Sequence, residues 1–122
     1  MSSQPQPALL EVEEVGGVTL ARFTRAHLLD EAVIQAVGRQ LAALTGPGGP
    51  ARVVLSFRGV DRFGSSLLAK VIGMHQRVKA AGGRLAVCAV ALHLQEVFRI
   101  TQLDRMLALY PTEQEALQSF GE

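Results

Sequence analysis

Two adjacent serines, Ser65 and Ser66, follow Phe63-Gly64 and open a long amphipathic segment; they are the side chains best placed for chemistry. A serine where a strand has ended and a helix begins has two uses. It can cap the helix by accepting a bond from an orphan backbone N–H, or it can present a hydroxyl, or a phosphate, to the positive end of the helix dipole. Nucleophilic catalysis would need a strained elbow and a base in reach. Phe63-Gly-Ser-Ser-Leu67 has a glycine before the serines but none two residues after, and no acid and histidine order stands out. His27, His75 and His93 are scattered, without a second ligand at metal-binding spacing. His75 falls on an apolar stripe and reads as a hydrogen-bonded core or boundary histidine. Gly46-Pro-Gly-Gly-Pro50 lacks a following Lys-Ser/Thr, and Gly82-Gly83 precedes a strand where a dinucleotide fingerprint would follow one. Carboxylates gather at Glu11–Glu14 and Glu113–Glu115, as solvated faces and a helix start. No catalytic residue, metal or cofactor is expected, which leaves a protein that binds rather than turns over a substrate.

Composition narrows the partners. The 122 residues are 48% hydrophobic and 19% charged, with a formal net charge of +1. That is one domain with a packed core, and it lacks the dense basic stripe of a nucleic-acid binder. Cys88 stands alone within an apolar run, so a buried, inert thiol is expected. No signal peptide is visible at the start, and the longest apolar run, Leu85 to Leu92, falls far short of the ~20 residues of a membrane helix. A cytoplasmic protein without nucleic-acid or membrane contacts is the expectation.

The elements that must position the serines follow from periodicity. Residues 1–7 are expected to be a frayed tail and 8–122 the folded domain. Alternating runs on either side of Gly16-Gly17 predict a hairpin. Asp30 predicts the N-cap of a first helix, with Leu29 stapled onto Ile34, a buried stripe of Ile34, Val37, Leu41 and Leu44, and a stop across Thr45–Pro50. Val53 to Phe57 reads as a buried strand. The helix headed by the serines runs to Ala80, with Leu68, Val71, Ile72, His75 and Val78 inward and Gly82-Gly83 at its end. Arg84 to Val90 reads as a strand covered on both faces. A helix from Leu92 to Ile100, an edge strand at Leu107–Tyr110 and a last helix capped by Thr112 with Glu115 complete the chain. The order β-β-α-β-α-β-α-β-α predicts an α/β domain: a mixed, mainly parallel sheet of about five strands with four helices.

From Arg52 to Phe120 the sequence resembles the STAS domains, the sulfate-transporter and anti-sigma-factor-antagonist family. The resemblance is carried by Val53-Val54-Leu55-Ser56, Gly59-Val60-Asp61, the paired serines at the mouth of the long helix, and Gly73 within it. Ala80-Ala81-Gly82-Gly83-Arg84-Leu85-Ala86-Val87-Cys88 and Val97-Phe98-Arg99-Ile100-Thr101-Gln102-Leu103-Asp104-Arg105-Met106 extend it. It implies a STAS-like fold and the role of an anti-anti-sigma factor of bacterial type. The implied partner is an anti-sigma factor that is also a serine-protein kinase of histidine-kinase-like ATPase type. The implied phosphoacceptor is Ser65, with Ser66 as second choice. The implied partner-binding residues are Asp61, Arg62, Phe63, Gly64, Ser65, Ser66, Leu67, Lys70 and His93, together with the Leu92–Ile100 helix. Arg62 and Lys70 read either as phosphate-binding cations or as ordinary solvated residues. The family's Asp before the phosphoserine falls on Gly64 and its following Gly on Leu67, and Arg25-Ala26-His27-Leu28 replaces a Gly-Glu-Leu-Asp. Two other roles stay open: a module that binds a small anion or nucleotide at the helix head, and a constitutive scaffold in which Ser65 only caps.

Overall fold

Gly16 and Gly17 both lie at positive φ, +57° and +82°, as a two-residue loop must to follow the twist of its strands. They join β1 (Leu10–Val15) to β2 (Val18–Phe23) in an antiparallel hairpin. This computed structural model describes residues 8–45 and 51–121; the expected tail at 1–7 and the breaker at 46–50 lie outside the described residues. After the hairpin come β3 (His27–Leu28), α1 (Glu31–Ala43), β4 (Arg52–Ser56), β5 (Arg62–Phe63) and α2 (Ser65–Ala80). Then follow β6 (Arg84–Cys88), α3 (Leu92–Ile100), α4 (Leu103–Met106), β7 (Ala108–Tyr110) and α5 (Glu113–Gln118).

The main sheet has the order β1-β2-β4-β6-β7, and every pairing beyond the hairpin is parallel. β4 is apolar from Val53 to Leu55 and β6 from Leu85 to Cys88 because both faces are covered. Val53 and Leu55 of β4, with Leu85 and Val87 of β6, enter the larger core beneath α1, α2 and α3. The alternate residues Val54, Ala86 and Cys88 meet Ala116 and Phe120 on the opposite face. Cys88 is fully buried there, and burial pushes its thiol up to about 11, which makes it inert at neutral pH.

Ser56, the one buried polar side chain among the described residues, fastens α5 to this second face. Its hydroxyl donates to Glu113 Oε2 at 2.6 Å. Arg22 reaches the same carboxylate with two parallel bonds of 2.9 Å, a fork geometry that adds both strength and direction. The Arg22 bond, joined by that from Ser56, holds the Glu113 carboxyl below its usual range, against the opposing effect of burial.

The helix ends follow their sequence signals. Asp30 Oδ1 accepts from the amides of Ala32 and Val33 at 2.8 and 3.2 Å, and Thr112 Oγ1 from Glu115 at 3.1 Å. At the end of α2 the Gly83 amide bonds the Val78 carbonyl and the Gly82 amide that of Lys79, with Gly82 at φ +82°; the pair forms a Schellman motif. A Cβ on Gly83 would sit 2.2 Å from the Ala51 carbonyl oxygen, so only glycine lets this corner lie against the start of β4.

Four expectations need correction. Among the described residues there are five helices, not four, because α4 adds a single turn after Gln102 at φ +62°, too short to leave a 3.6-residue period. The buried face of α2 runs through Leu67, Leu68, Val71, Met74 and Val78, while Ile72 and His75 are only half-buried. His75 is a boundary residue, but its Nδ1 is buried without a hydrogen-bond partner. Leu29 does not pack as a staple; it is 55% exposed.

Candidate docking face around Ser65

The segment that delivers the serines is held on both sides. β5 pairs with β3 in parallel, His27 opposite Arg62 and Leu28 opposite Phe63. The Ala26 carbonyl accepts from the amides of Asp61 and Arg62 at 2.7 and 3.1 Å. Behind them Phe63 packs edge-on against Phe57 and Phe98, with centroids 5.6 and 6.0 Å away, in the arrangement aromatic quadrupoles prefer. Leu67 and Leu68 drive the first turn of α2 into the core. Backbone pairing, aromatic packing and two buried leucines thus fix where α2 begins.

Gly64 is the N-cap, extended at φ −119° and ψ −175°, and no side chain caps the helix. Ser65 and Ser66 are therefore the first two helical residues. Both are exposed, and among the described residues neither hydroxyl is hydrogen-bonded. The capping use open to a serine at this boundary is not the one taken. What remains is a pair of unengaged hydroxyls at the positive end of the longest helix.

Asp61 organises the rim. His93 Nε2, on α3, donates to its carbonyl at 2.8 Å and lies 3.5 Å from Oδ1. His27 Nε2 lies 3.6 Å from Oδ2 and Arg62 Nε 4.0 Å. A depression of about 630 Å³ beside them is lined by Leu29, Asp61, Arg62, Phe63, His93 and Leu94. Of the residues expected to meet a partner, Asp61, Arg62, Phe63 and His93 line this depression. Leu67 does not belong to the face: it is 0% exposed, because its position in the first turn points inward. Lys70 turns toward α1, its ammonium 3.5 Å from Gln35 Oε1 and its stem along Gly38.

Sequence reasoning missed His27 and Leu29 at this rim. Both lie far from Ser65 in the chain, and the β3–β5 pairing that brings His27 in is too short to show a period of two. Among the described residues, no three His, Cys, Asp or Glu side chains are grouped to hold a metal ion, and no helix is long and apolar enough to cross a membrane.

Comparison with known proteins agrees with this geometry. The family model described as the STAS domain matches residues 10–116. An anti-sigma-factor antagonist (STAS) domain protein from Planctomyces limnophilus superposes with a TM-score of 0.83 at 26% identity, over 93% of this chain and 98% of that one. An anti-sigma factor antagonist from Mycobacterium paratuberculosis gives 0.80 at 23%, covering 93% of each. The phosphorylated form of the Bacillus cell fate determinant SpoIIAA gives 0.68 at 19%, over 91% of this chain and 98% of that one. With that family model matching residues 10–116 of its 122 residues, the chain belongs to the STAS-domain family.

Proposed function

We propose that this chain is an anti-sigma-factor antagonist: it docks an anti-sigma factor through the face headed by Ser65, and phosphorylation of Ser65 switches the docking off. The observation that carries the reading is the pair of exposed, unbonded hydroxyls in the first turn of an uncapped α2. Support comes from the structural neighbours, among which are proteins named as anti-sigma factor antagonists and one solved in a phosphorylated form. The partner in this reading is a cytoplasmic serine kinase of ATPase type, and the chain itself performs no catalysis.

The energetics explain how one phosphate could act as a switch. It adds about −1.5 to −2 charges. At a solvated helix N-terminus that charge stabilises the domain by ~0.3–1 kcal/mol, so the fold survives. Inside a docked interface the same charge must be desolvated or meet like charge, at a cost of several kcal/mol. The interface term is the larger, so binding is lost while the fold is kept. The exposed side chains of Leu29 and of Leu92 at the start of α3 give the docked state apolar surface to bury around the serines.

The test uses ATP and the ATPase-type kinase encoded nearest to this gene. Wild type is expected to be labelled, Ser65→Ala unlabelled and Ser66→Ala labelled, with Ser65→Asp binding the kinase at least tenfold more weakly. Equal labelling of wild type and Ser65→Ala, together with unchanged affinity of Ser65→Asp, would overturn the assignment.

A further inference from the structure

β1 is an outer strand of the main sheet, six residues long, with β2 as its only partner among the described residues. The hairpin register fixes which of its backbone groups are spent. The Thr24 amide bonds the Leu9 carbonyl at 3.1 Å, one step beyond the Leu10–Phe23 pair. Bonded and unbonded pairs alternate along an antiparallel ladder, so Glu11, Glu13 and Val15 face β2 as Leu9 does. The N–H and C=O of Leu10, Val12 and Glu14 turn outward. Leu10 is buried, whereas Glu11, Val12, Glu13 and Glu14 are all exposed. Among the described residues no further backbone bond reaches Val12 or Glu14.

An open edge of this kind is a template for another extended chain unless something blocks it. β1 contains no proline and no lysine, and its register with β2 runs unbroken from Leu10 to Val15, without a bulge. What it carries is acid: Glu11, Glu13 and Glu14, with no basic residue. Arg22, across the hairpin, is shared between Glu13 at 3.0 Å and Glu113 at 2.9 Å. Among the described residues neither Glu11 nor Glu14 forms an ion pair. The edge therefore offers main-chain groups together with uncompensated negative charge.

The two faces of the strand differ. Glu11 and Glu13 lie opposite Arg22 and Leu20, on the side of α5. Val12 lies opposite Ala21, on the side of the larger core, and is 49% exposed. A strand added here would meet carboxylates on one face and an aliphatic side chain on the other. A second copy does not fit: antiparallel pairing about Val12 sets Glu11 of each copy against Glu13 of the other, like charges directly opposed. Residues 1–7 and 46–50 of this chain contain no Lys or Arg, so they do not answer the charge either.

We propose that the free edge of β1 takes up an extended basic segment of a partner protein, Lys or Arg alternating with aliphatic residues, as an added strand of the main sheet. The site stands apart from the role of Ser65.

The experiment titrates the full chain at low ionic strength with the blocked peptide Lys-Val-Lys-Val-Lys-Val and, separately, with Glu-Val-Glu-Val-Glu-Val. Amide shifts and hydrogen exchange are followed by NMR. The basic peptide is expected to saturate with Kd on the order of 1 mM, more weakly as salt is added, and the acidic peptide not to bind. With the basic peptide at about ten times Kd, exchange should slow about tenfold at Val12 and Glu14. It should stay unchanged at Glu11 and Glu13, whose amides are already bonded to β2. Val12→Pro removes an outward N–H and none of the bonds to β2, a place where an edge strand tolerates proline; it should weaken binding at least about tenfold. Glu11→Gln should weaken it about threefold. Equal slowing at all four residues, no slowing at Val12 and Glu14, or equal binding of the acidic peptide would overturn the proposal, whether or not Val12→Pro folds. Slowing that rises with protein concentration alone would overturn it in favour of a second copy.

Discussion

Replacing Gly64 with aspartate should make the protein more stable, although the site is the N-cap of the helix that opens with Ser65. Gly64 adopts φ −119° and ψ −175°, extended backbone open to any residue. A Cβ there would meet nothing nearer than Leu29 Cδ2 at 3.7 Å, an ordinary contact. Gly64→Asp gives α2 the side-chain cap it lacks, a gain over glycine of a few tenths of a kcal/mol. A carboxylate at the helix N-terminus contributes ~0.3–1 kcal/mol, overlapping with the cap. Removing a glycine from the unfolded chain contributes ~0.4–1 kcal/mol more. The sum is about 1 kcal/mol, or roughly 3–5 °C in melting temperature for a domain of this size. Urea unfolding at pH 7 should show a higher midpoint with an unchanged slope. The gain should shrink in acid, once the new carboxyl is protonated. A lower midpoint at pH 7, or a gain that does not depend on pH, would refute a helix that starts at Ser65 without a cap. The resemblance puts the family's Asp at position 64, so under the proposed phosphorylation Ser65 of this variant should be labelled faster than in wild type.

Two further outcomes test the packing. Leu67→Ala removes a fully buried side chain from the first turn of α2 and should cost ~2–5 kcal/mol; Ser66→Ala, one residue away and exposed, should stay within about 0.5 kcal/mol of wild type. Glu113→Gln should cost ~1–3 kcal/mol at pH 7, because Arg22 and buried Ser56 lose a charged acceptor. Since the Glu113 pKa is lowered in the folded state, its contribution is complete above the unfolded value near 4.5 and is lost as pH falls through the folded value. The denaturation gap between wild type and Glu113→Gln should therefore be constant from pH 6 to 8 and narrow below about pH 4.5.

Most of the fold could be read from local chemistry. Gly16-Gly17, Asp30, Thr112 with Glu115, and Gly82-Gly83 mark element ends by mechanisms that act within a few residues. The unbroken apolar runs of β4 and β6 announced a sheet covered on two faces. What escaped was set by long-range contact or by very short elements. The single turn of α4 and the two-residue strands β3 and β5 carry no measurable period. His27 reaches Asp61 only through the β3–β5 pairing, and the Ser56–Glu113–Arg22 network joins residues from three distant segments. Leu67 was expected among the partner-binding residues that the resemblance implied, alongside exposed Ser66; one step of about 100° around the helix carries it into the core.

The claim on which the account depends is that the head of α2 and the adjoining start of α3 form the surface a partner grips. Amide hydrogen exchange on the complex with the neighbouring kinase measures this directly. Protection should rise across residues 61–70 and 91–95 and stay unchanged at the β1 edge and the 79–84 corner. Protection confined to those last two regions, with the serine turn exchanging as in the free chain, would contradict it.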